Sequence, residues 1–362
     1  MGMRLEGIHH VTAITGEAQP NVDFYAGVLG LRMVKKTVNQ DNPTVYHLFY
    51  ADEKGDPGSD ITFFEYPGIG PGRAGDGMVH RVVWRVASSD TLEFWARRLA
   101  DHDVRTETAD DRLRFRDPEG LEHELLVPKV PDEPLTAEHP EIPAEHAFQG
   151  FDGVCAYASN PDASRSLLEE TLGFERRDDL LWEARGESRG GLYAYHDAPQ
   201  ERGIQGAGSV HHVAWASPAE EHEAWRERVL AAGMHATPVI DRHYFRSVYF
   251  REPSGVLFEL ATLGGPGFAI DEPIERLGEK LSPAVHRASA PRDRGDGPPD
   301  HEPTPGHRLS VGPRRVSPRR RRAFAAGREA HRPRPPSMAR GSPSSSSRRR
   351  SARARASASR RR

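Results

Sequence analysis

The sequence predicts an α+β fold built from four βαβββ modules, and three observations support this prediction. A similar apolar strand recurs four times along the chain. Each of these strands is followed by a segment in which apolar residues have helical spacing, and then by further strands that are separated by turn residues. The four modules span residues 5–67, 76–129, 148–197 and 207–264.

The opening strands are rich in β-branched and other apolar residues, and they read GIHHVTAI, MVHRVVWRV, FDGVCAYAS and SVHHVAWAS. In the segments that follow, apolar residues recur three and four positions apart and would share one face of a helix. These segments read NVDFYAGVLGL, SDTLEFWARRLADH, DASRSLLEETLGF and AEEHEAWRERVLAAG. Gly30 and Gly173 are expected to end the first and third helices.

The second and fourth modules each end in a predicted β-hairpin. The turn sequences DPEG and EPSG combine Pro and Gly in the way that tight turns favour. Aligned on these hairpins, the two modules are offset by about 131–135 positions. Trp84 then corresponds to Trp215, and Glu124 corresponds to Glu259.

The modules predict two domains along the chain. Residues 1–130 hold the first two modules and residues 145–265 hold the last two. The Pro- and Glu-rich segment 128–147 is the expected linker, and residues 265–282 are expected to pack on the body as a terminal extension. Two such modules usually close a curved sheet around a cavity.

Charge separates the C-terminal tail from the rest of the chain. Residues 1–282 carry 28 Lys and Arg against 48 Asp and Glu, a net charge of −20, whereas residues 283–362 carry 22 Arg and 5 acidic residues, a net charge of +17. The acidic part is not expected to bind nucleic acid. The tail has too few apolar residues to offset the entropy of ordering, so we expect disorder. An anion-binding arm and an out-of-frame translation are the alternatives.

The remaining composition favours a cytoplasmic protein. Cys155 is the single cysteine, so no disulfide can form within one chain. The N-terminus MGMRLEGIHH has no charged-then-apolar signal pattern, and no run of 18 apolar residues predicts a membrane span. A homo-oligomer stays open.

Two histidine pairs stand at equivalent places in the repeat. His9-His10 opens the first module and His211-His212 opens the fourth. Because neighbouring strand residues face opposite sides, only one histidine of each pair can face a given cavity, and we assign His10 and His212. Glu259 lies between two large apolar residues, where a carboxylate requires a positive partner. Two imidazoles and one carboxylate are typical of a non-haem iron centre.

The second and third modules lack this set of ligands. Cys155, within Val-Cys-Ala, is aligned with His10, and Arg81 is aligned with His212, although Glu124 is retained. The sequence therefore predicts that the first and fourth modules share the metal-binding cavity. The other two modules are expected to form a metal-free partner barrel.

The chain resembles the ring-cleaving dioxygenases of the vicinal-oxygen-chelate superfamily, and in particular their hydroquinone dioxygenase group. The resemblance spans residues 5–264 and is strongest in LEGIHHVTAITGEAQPNVDFYAGVLGLRMVKKT and IDRHYFRSVYFREPSGVLFELAT. It implies two paired vicinal-oxygen-chelate barrels, with Fe(II) (or Mn(II)) held by His10, His212 and Glu259. It also implies that both atoms of O₂ are inserted into an aromatic diol.

The resemblance further implies a set of polar residues around the metal, namely His9, Thr12, His211, Arg242 and Tyr249. Tyr249 would hydrogen-bond a substrate oxygen, and Arg242 would stabilise developing negative charge. His211 or His9 would act as acid or base.

Less specific interpretations of these residues stay open. Arg242 could pair with Asp241 or Glu252, and the Tyr249 hydroxyl could point into solvent. A non-catalytic small-molecule binding protein is an alternative function, but such proteins commonly lose metal ligands, and all three are present here.

A glyoxalase-like isomerase or lyase is the main alternative enzyme. It would use Ni, Zn or Mn and would usually present a fourth protein ligand. Glu65 in DITFFEYPG could supply that ligand, whereas strand alternation favours Phe63 or Phe64 at the equivalent place.

Overall fold

The structure is a computed structural model that describes residues 2–281. The prediction for residues 283–362 therefore lies outside the described residues. Among the helices of the described part, none is long and apolar enough to cross a membrane.

Each module contributes four strands, as the repeat predicts. The first contains β1 (Ile8–Thr15), β2 (Arg32–Asn39), β3 (Asn42–Ala51) and β4 (Asp60–Glu65). The second contains β5 (Met78–Arg85), β6 (Thr106–Ala109), β7 (Arg112–Arg116) and β8 (Glu122–Leu126). The third contains β9 (Phe151–Ala158), β10 (Glu175–Asp178), β11 (Leu181–Arg185) and β12 (Gly190–Asp197). The fourth contains β13 (Val210–Ser217), β14 (Ile240–Asp241), β15 (Arg246–Arg251) and β16 (Leu257–Thr262).

The strands form two eight-stranded sheets, which confirms the α+β fold and its paired modules. The first sheet has the order β14-β15-β16-β13-β1-β4-β3-β2 and joins modules 1 and 4. The second has the order β10-β11-β12-β9-β5-β8-β7-β6 and joins modules 2 and 3. The opening strands cause this exchange, because β1 pairs with β13, and β5 with β9, in antiparallel fashion. The halves 1–130 and 145–265 therefore each contribute to both sheets, and neither half builds a sheet of its own.

The helical segments differ between modules. Modules 2 and 4 carry regular helices, whereas modules 1 and 3 carry shorter segments that end as π-helices. The segments are α1 (Ala18–Val22) with a π-helix at Asp23–Val28, α2 (Ser89–Asp101), a 3₁₀ turn at Pro161–Ser164 with a π-helix at Leu167–Thr171, and α3 (His222–Ala231). Further 3₁₀ turns lie at Ala144–His146, Gly267–Ile270 and Ile274–Arg276. Gly30 (φ +73°) and Gly173 (φ +70°) follow the first and third segments in the left-handed region, as predicted.

A buried hydrogen-bond network joins modules 1 and 2. The Nε1 of Trp84 donates to Nδ1 of His123 (3.0 Å), so the neutral ring carries its proton on Nε2. This Nε2 lies 2.9 Å from the hydroxyl of Tyr25, which donates to Asp117 (2.9 Å). Burial lowers the pKa of His123 to about 3, which keeps the imidazole neutral and the network in one arrangement.

The terminal extension packs on the first sheet, as expected. Lys35 is fully buried on β2, and its Nζ donates to Glu272 (2.8 Å) and pairs with Asp271 (3.1 Å). The ring of Phe268 packs against Phe49, with 5.2 Å between ring centroids. The extension thereby covers the strands that carry one wall of the cavity described next.

Candidate metal centre

Two β-bulges place the histidine pairs on the first sheet. In the β1–β13 ladder, His9 and His211 are the extra residues, and each lies immediately before one of the predicted ligands, His10 and His212. A bulge bends the strand and re-aims its side chains. Each histidine pair therefore lies at a kink of its strand. One pair belongs to module 1 and the other to module 4, and the two strands are paired where the modules meet.

The side chains of His10, His212 and Glu259 converge. The Nε2 atoms of the two histidines are 3.3 Å apart. Oε2 of Glu259 lies 3.2 Å from Nε2 of His10 and 2.9 Å from Nε2 of His212. All three residues are buried. Ser247 donates a hydrogen bond to the other carboxylate oxygen, Oε1, at 2.5 Å and so orients the group.

This arrangement fits a metal ion. Oε2 of Glu259 is buried and has no hydrogen bond of acceptable geometry, although both imidazole nitrogens lie close to it. The three ligand atoms lie within 4.8 Å of one another, with their lone pairs available to a common centre. Burial disfavours the ionised form of Glu259, but His10 and His212 outweigh this effect and hold its pKa well below the ordinary value. Two imidazoles and one carboxylate leave three coordination positions open.

His9 and His211 contact the ligand histidines from behind. Nδ1 of His9 is 3.0 Å from Nδ1 of His10, and the corresponding distance between His211 and His212 is 2.8 Å. Burial lowers the pKa of both His9 and His211 to about 3, so each is neutral and can accept the Nδ1–H of its ligand. This is the contact that fixes the tautomer and the ring orientation of a metal-binding histidine. Neither His9 nor His211 lines the cavity in front of the ligands.

A cavity with aromatic walls opens in front of the ligands, between the sheet and the β2–β3 turn. Its polar wall is formed by Arg242 and Tyr249. Tyr249 lies opposite Glu259 in the β15–β16 ladder, and its hydroxyl is 3.3 Å from Nε of Arg242. Arg242 is held by Asp41 through two contacts of 3.1 and 2.9 Å. The partner of Arg242 is thus a carboxylate 201 positions away, in place of the neighbouring acids that the sequence suggested.

Thr12 and His47 form a second polar edge of this cavity. The hydroxyls of Thr12 and Thr62 are 2.8 Å apart, and Nε2 of His47 is 2.8 Å from the same Thr62 hydroxyl. Burial and the nearby His10 lower the pKa of His47 well below its ordinary value, so its ring is neutral. His47 was not among the residues predicted from the sequence. The sequence offered one indication of its role, since His47 lies on a strand of alternating pattern, two residues before the buried Phe49.

Phe64 and Phe245 complete the aromatic walls, and of these two Phe245 was not predicted from the sequence. The ring centroid of Phe245 lies 4.9 Å from that of His9 and 5.2 Å from that of His10. Phe64 lines the cavity opposite, with its ring 6.5 Å from that of His212. The ligands therefore lie among rings that can pack on a flat substrate.

Comparison with known proteins identifies the superfamily of the chain. The sequence matches the Glyoxalase/Bleomycin resistance protein/Dioxygenase superfamily over residues 7–125 and 150–260. The chain belongs to this superfamily. It is 41% identical to MhqO of Bacillus subtilis, which is named as a ring-cleaving dioxygenase, over 290 residues that cover 78% of this chain and 92% of MhqO. It is 31% identical to the chlorohydroquinone/hydroquinone 1,2-dioxygenase of Sphingobium indicum, covering 78% of this chain and 92% of that protein.

Solved structures show the superfamily fold. A crystal structure of a Bacillus subtilis protein described as a dioxygenase aligns with a TM-score of 0.72 at 39% identity, over 78% of this chain and 92% of that one. Glyoxalase I from Zea mays aligns with a TM-score of 0.51 at 14% identity, over 71% of this chain and 92% of that one, and shows the shared fold alone.

Within this superfamily fold, Glu65 is not placed as a fourth ligand. Its Oε1 accepts a hydrogen bond from the backbone N–H of Ala18 at 2.8 Å. Among the described residues, the group that could hold a metal contains only His10, His212 and Glu259. Phe64, the neighbour of Glu65, lines the cavity, as alternation suggested, whereas Phe63 is buried in the core.

The second sheet has guanidinium groups where the first has ligands. Glu124 occupies the position of Glu259 and is contacted by Arg81 (3.1 Å), Arg114 (2.6 Å) and Arg112. The alignments of the hairpins and opening strands place Arg81 at the position of His212. A carboxylate that a metal could neutralise in one sheet is neutralised by arginine in the other.

The strand register corrects one part of the sequence alignment. Gly153 pairs with Val83 as His10 pairs with Ala214, so Gly153, and not Cys155, stands where His10 stands. Both strands carry one extra residue at the equivalent place, His9 on β1 and Asp152 on β9. A Cβ atom at Gly153 would lie 2.6 Å from the carbonyl oxygen of Leu192, so a histidine would not fit there.

Proposed function

We propose that this protein is an Fe(II)-dependent, extradiol-type dioxygenase that cleaves a hydroquinone- or catechol-type aromatic diol next to a hydroxyl-bearing carbon. The convergence of His10, His212 and Glu259, of which His10 and His212 line an aromatic cavity, carries the proposal. The ring-cleaving names of MhqO and of the Sphingobium hydroquinone enzyme support it. The reaction would place both atoms of O₂ in the ring-opened product.

The two histidines and the glutamate would hold the metal on one face, as in other non-haem iron oxygenases. A bound Fe(II), or Mn(II) in its place, would supply adjacent sites for the diol and for O₂ and would conduct electrons between them. His9 and His211 would keep the ligand imidazoles in the tautomer that binds metal. This role replaces the acid–base role that the resemblance implied for them, since neither faces the cavity.

The cavity walls suit a single aromatic ring. The cavity is lined mainly by aromatic and apolar side chains with a few polar groups at its edges, as small-molecule sites are. Phe64 and Phe245 would pack on the faces of the ring and exclude water. A ring held in this way would present its hydroxyl to the metal and to the hydroxyl of Tyr249.

Tyr249 and Arg242 would act on the oxygen of the substrate. Burial raises the pKa of Tyr249, so its hydroxyl remains a donor at neutral pH. The guanidinium of Arg242, held by Asp41, would stabilise the negative charge of the deprotonated diol. His47 is the neutral imidazole that lines the cavity, and its position suits it to accept or return the substrate proton.

The proposed activity is tested by O₂ uptake. Protein loaded anaerobically with Fe(II) would be mixed with a panel of hydroquinones and catechols. We expect one O₂ consumed per diol, a ring-opened chromophore, and two ¹⁸O atoms in the product from ¹⁸O₂. His212→Ala should abolish uptake, whereas the matched variant His196→Ala, in the second sheet, should retain it. Absence of uptake with every diol, despite one bound iron per chain, would refute the proposal.

A further inference from the structure

A second cavity lies on the sheet of modules 2 and 3, at the position equivalent to the metal centre. Its volume is about 440 Å³. The hairpin offset places Arg81, Arg112 and Arg114 where the first sheet has His212, Ser247 and Tyr249. The cavity of the second sheet is thus a built counterpart of the first, with different chemistry.

Three arginines line this cavity beside four carboxylates, of which Asp152 and Asp179 are paired with Arg85 and Arg176, outside the lining. Three guanidinium groups converge on Glu124, which is 1% exposed. One positive charge would neutralise it. Arg81 is shared with Glu122, but Arg112 and Arg114 contact only Glu124 among the described residues.

Arg112 and Arg114 retain donors that face the cavity. Each guanidinium has five N–H groups, and each of these two uses one of them on Glu124. Their side chains are 44% and 37% exposed, so the remaining donors can be reached from solvent. A planar array of free N–H groups matches the two oxygens of a carboxylate.

The rest of the cavity is mainly apolar. Its walls include Val83, Val154, Leu181, Leu192 and Ala194. Asp178 and Asp179 lie at the rim, and the carboxylate of Asp179 is already paired with Arg176 (2.7 Å). The cavity therefore offers an anion-binding edge beside an apolar wall, which is the combination that holds an organic acid.

We propose that this second cavity binds a small organic carboxylate. The carboxylate is held by the free N–H groups of Arg112 and Arg114, and the hydrocarbon part lies against the wall formed by Val154, Leu181 and Ala194. This site is separate from the metal centre and does not depend on the proposed reaction. It gives the second sheet a ligand of its own.

Isothermal titration of the metal-loaded protein with benzoate tests this proposal, with benzamide as the neutral isostere. We expect benzoate to bind at least tenfold more tightly than benzamide, since only benzoate forms charge-assisted hydrogen bonds. The double variant Arg112→Gln/Arg114→Gln should weaken benzoate binding at least tenfold. The matched control Arg97→Gln, at an exposed helical arginine, should bind as the wild type does. O₂ uptake should be unchanged in both variants.

Two further variants keep the test decisive if the double variant does not fold. Arg112→Gln alone leaves Glu124 with two arginines, and Ala194→Phe fills the apolar wall without changing charge. Each should weaken benzoate binding at least fivefold. Failure of benzoate to bind the wild type, or binding that is unchanged in the arginine variants and in Ala194→Phe, would overturn the proposal.

Discussion

Glu259 lies on the last strand of module 4, and Glu124 lies at the equivalent place on the last strand of module 2. Both residues are buried. Glu259 faces His10 and His212, with one oxygen free of any well-formed hydrogen bond. Glu124 instead has ion pairs to three arginines, which hold its pKa below the ordinary value although burial opposes ionisation. The same backbone thus presents one carboxylate that is ready for a metal and one that is already neutralised.

The difference shows which features of the fold make a site. A buried carboxylate must be neutralised, and either a metal or a guanidinium can do this. A few neighbours determine which of the two neutralises the carboxylate. The first sheet has His212 and His10, whereas the second sheet has Arg81 and Gly153 at the equivalent places. Duplication of the module therefore supplies the frame, and these substitutions decide where a metal can bind.

The largest predicted effect comes from removing each carboxylate in turn. Glu259→Gln should lose the metal and the O₂ uptake, because it removes a ligand. The loss of metal affinity should exceed the roughly 10–100-fold that a change around the ligands costs. Metal content after gel filtration and O₂ uptake measure both effects.

Glu124→Gln should show the opposite pattern. Metal and turnover should be retained, but three arginines lose their partner, and the free energy of unfolding should fall by about 3 kcal/mol. Two of these arginines are partly exposed, which places the expected cost at the lower end for a broken buried pair. Urea denaturation of the metal-loaded protein measures it. Loss of metal from Glu124→Gln would show that the two sheets do not differ as described.

Removing the Tyr249 hydroxyl should affect turnover and leave the metal in place. A donor to a charged substrate oxygen contributes about 1.5–3 kcal/mol, so Tyr249→Phe should lower kcat/KM by roughly 10–100-fold. Tyr157→Phe in the second sheet is the matched control and should be within twofold of the wild type. Unchanged kinetics in Tyr249→Phe would remove Tyr249 from the proposed machinery.

The histidines behind the ligands should affect metal affinity more than folding. His211→Ala removes the acceptor for Nδ1–H of His212, so Fe(II) should bind roughly 10-fold more weakly. His80 is the extra residue at the corresponding bulge of the second sheet. His80→Ala should therefore leave Fe(II) affinity unchanged. Titration with Fe(II) under anaerobic conditions separates the two results, and equal weakening in both variants would contradict the assignment.

The last predicted effect appears only in acid and concerns the pH dependence of stability. His123 has a pKa of about 3 in the folded protein, against about 6.5 when unfolded. Between pH 6.5 and pH 3, His123 is protonated in the unfolded state and neutral in the folded state. The free energy of unfolding therefore falls as the pH drops below about 6.5, and this decline ends near pH 3. This histidine contributes at most about 1.4 kcal/mol per pH unit.

The variant His123→Phe copies Phe258, which stands at the equivalent place in module 4. Its stability should fall less steeply between pH 6 and pH 4 than that of the wild type, measured by urea denaturation in matched buffers. Parallel slopes for the two proteins would show that His123 does not titrate as described.

The sequence predicted the parts of this molecule that are local or repeated. The four modules, their hairpins and the candidates His10, His212 and Glu259 all follow from patterns within one module and their recurrence. The pairing of modules 1 and 4 followed because only those two carry a pair of adjacent histidines in the opening strand.

The features that escaped prediction depend on pairing between distant strands. A bulge exists only relative to a partner strand, so alternation could not show that His9 and His211 support the ligands from behind. The pairing of β9 with β5 likewise shows that Gly153, and not Cys155, corresponds to His10. The partner of Arg242, Asp41, lies on a turn in a different module. His47 has no repeated histidine counterpart, and a lone histidine on a strand carries little signal.

The most direct test of the contrast between the two sheets is anomalous X-ray diffraction at the iron edge, from crystals grown anaerobically with Fe(II). We expect one strong anomalous peak per chain, bounded by Nε2 of His10, Nε2 of His212 and a carboxylate oxygen of Glu259, and no peak beside Glu124. A peak beside Glu124, or an empty site at Glu259 in crystals of iron-saturated protein, would contradict the account.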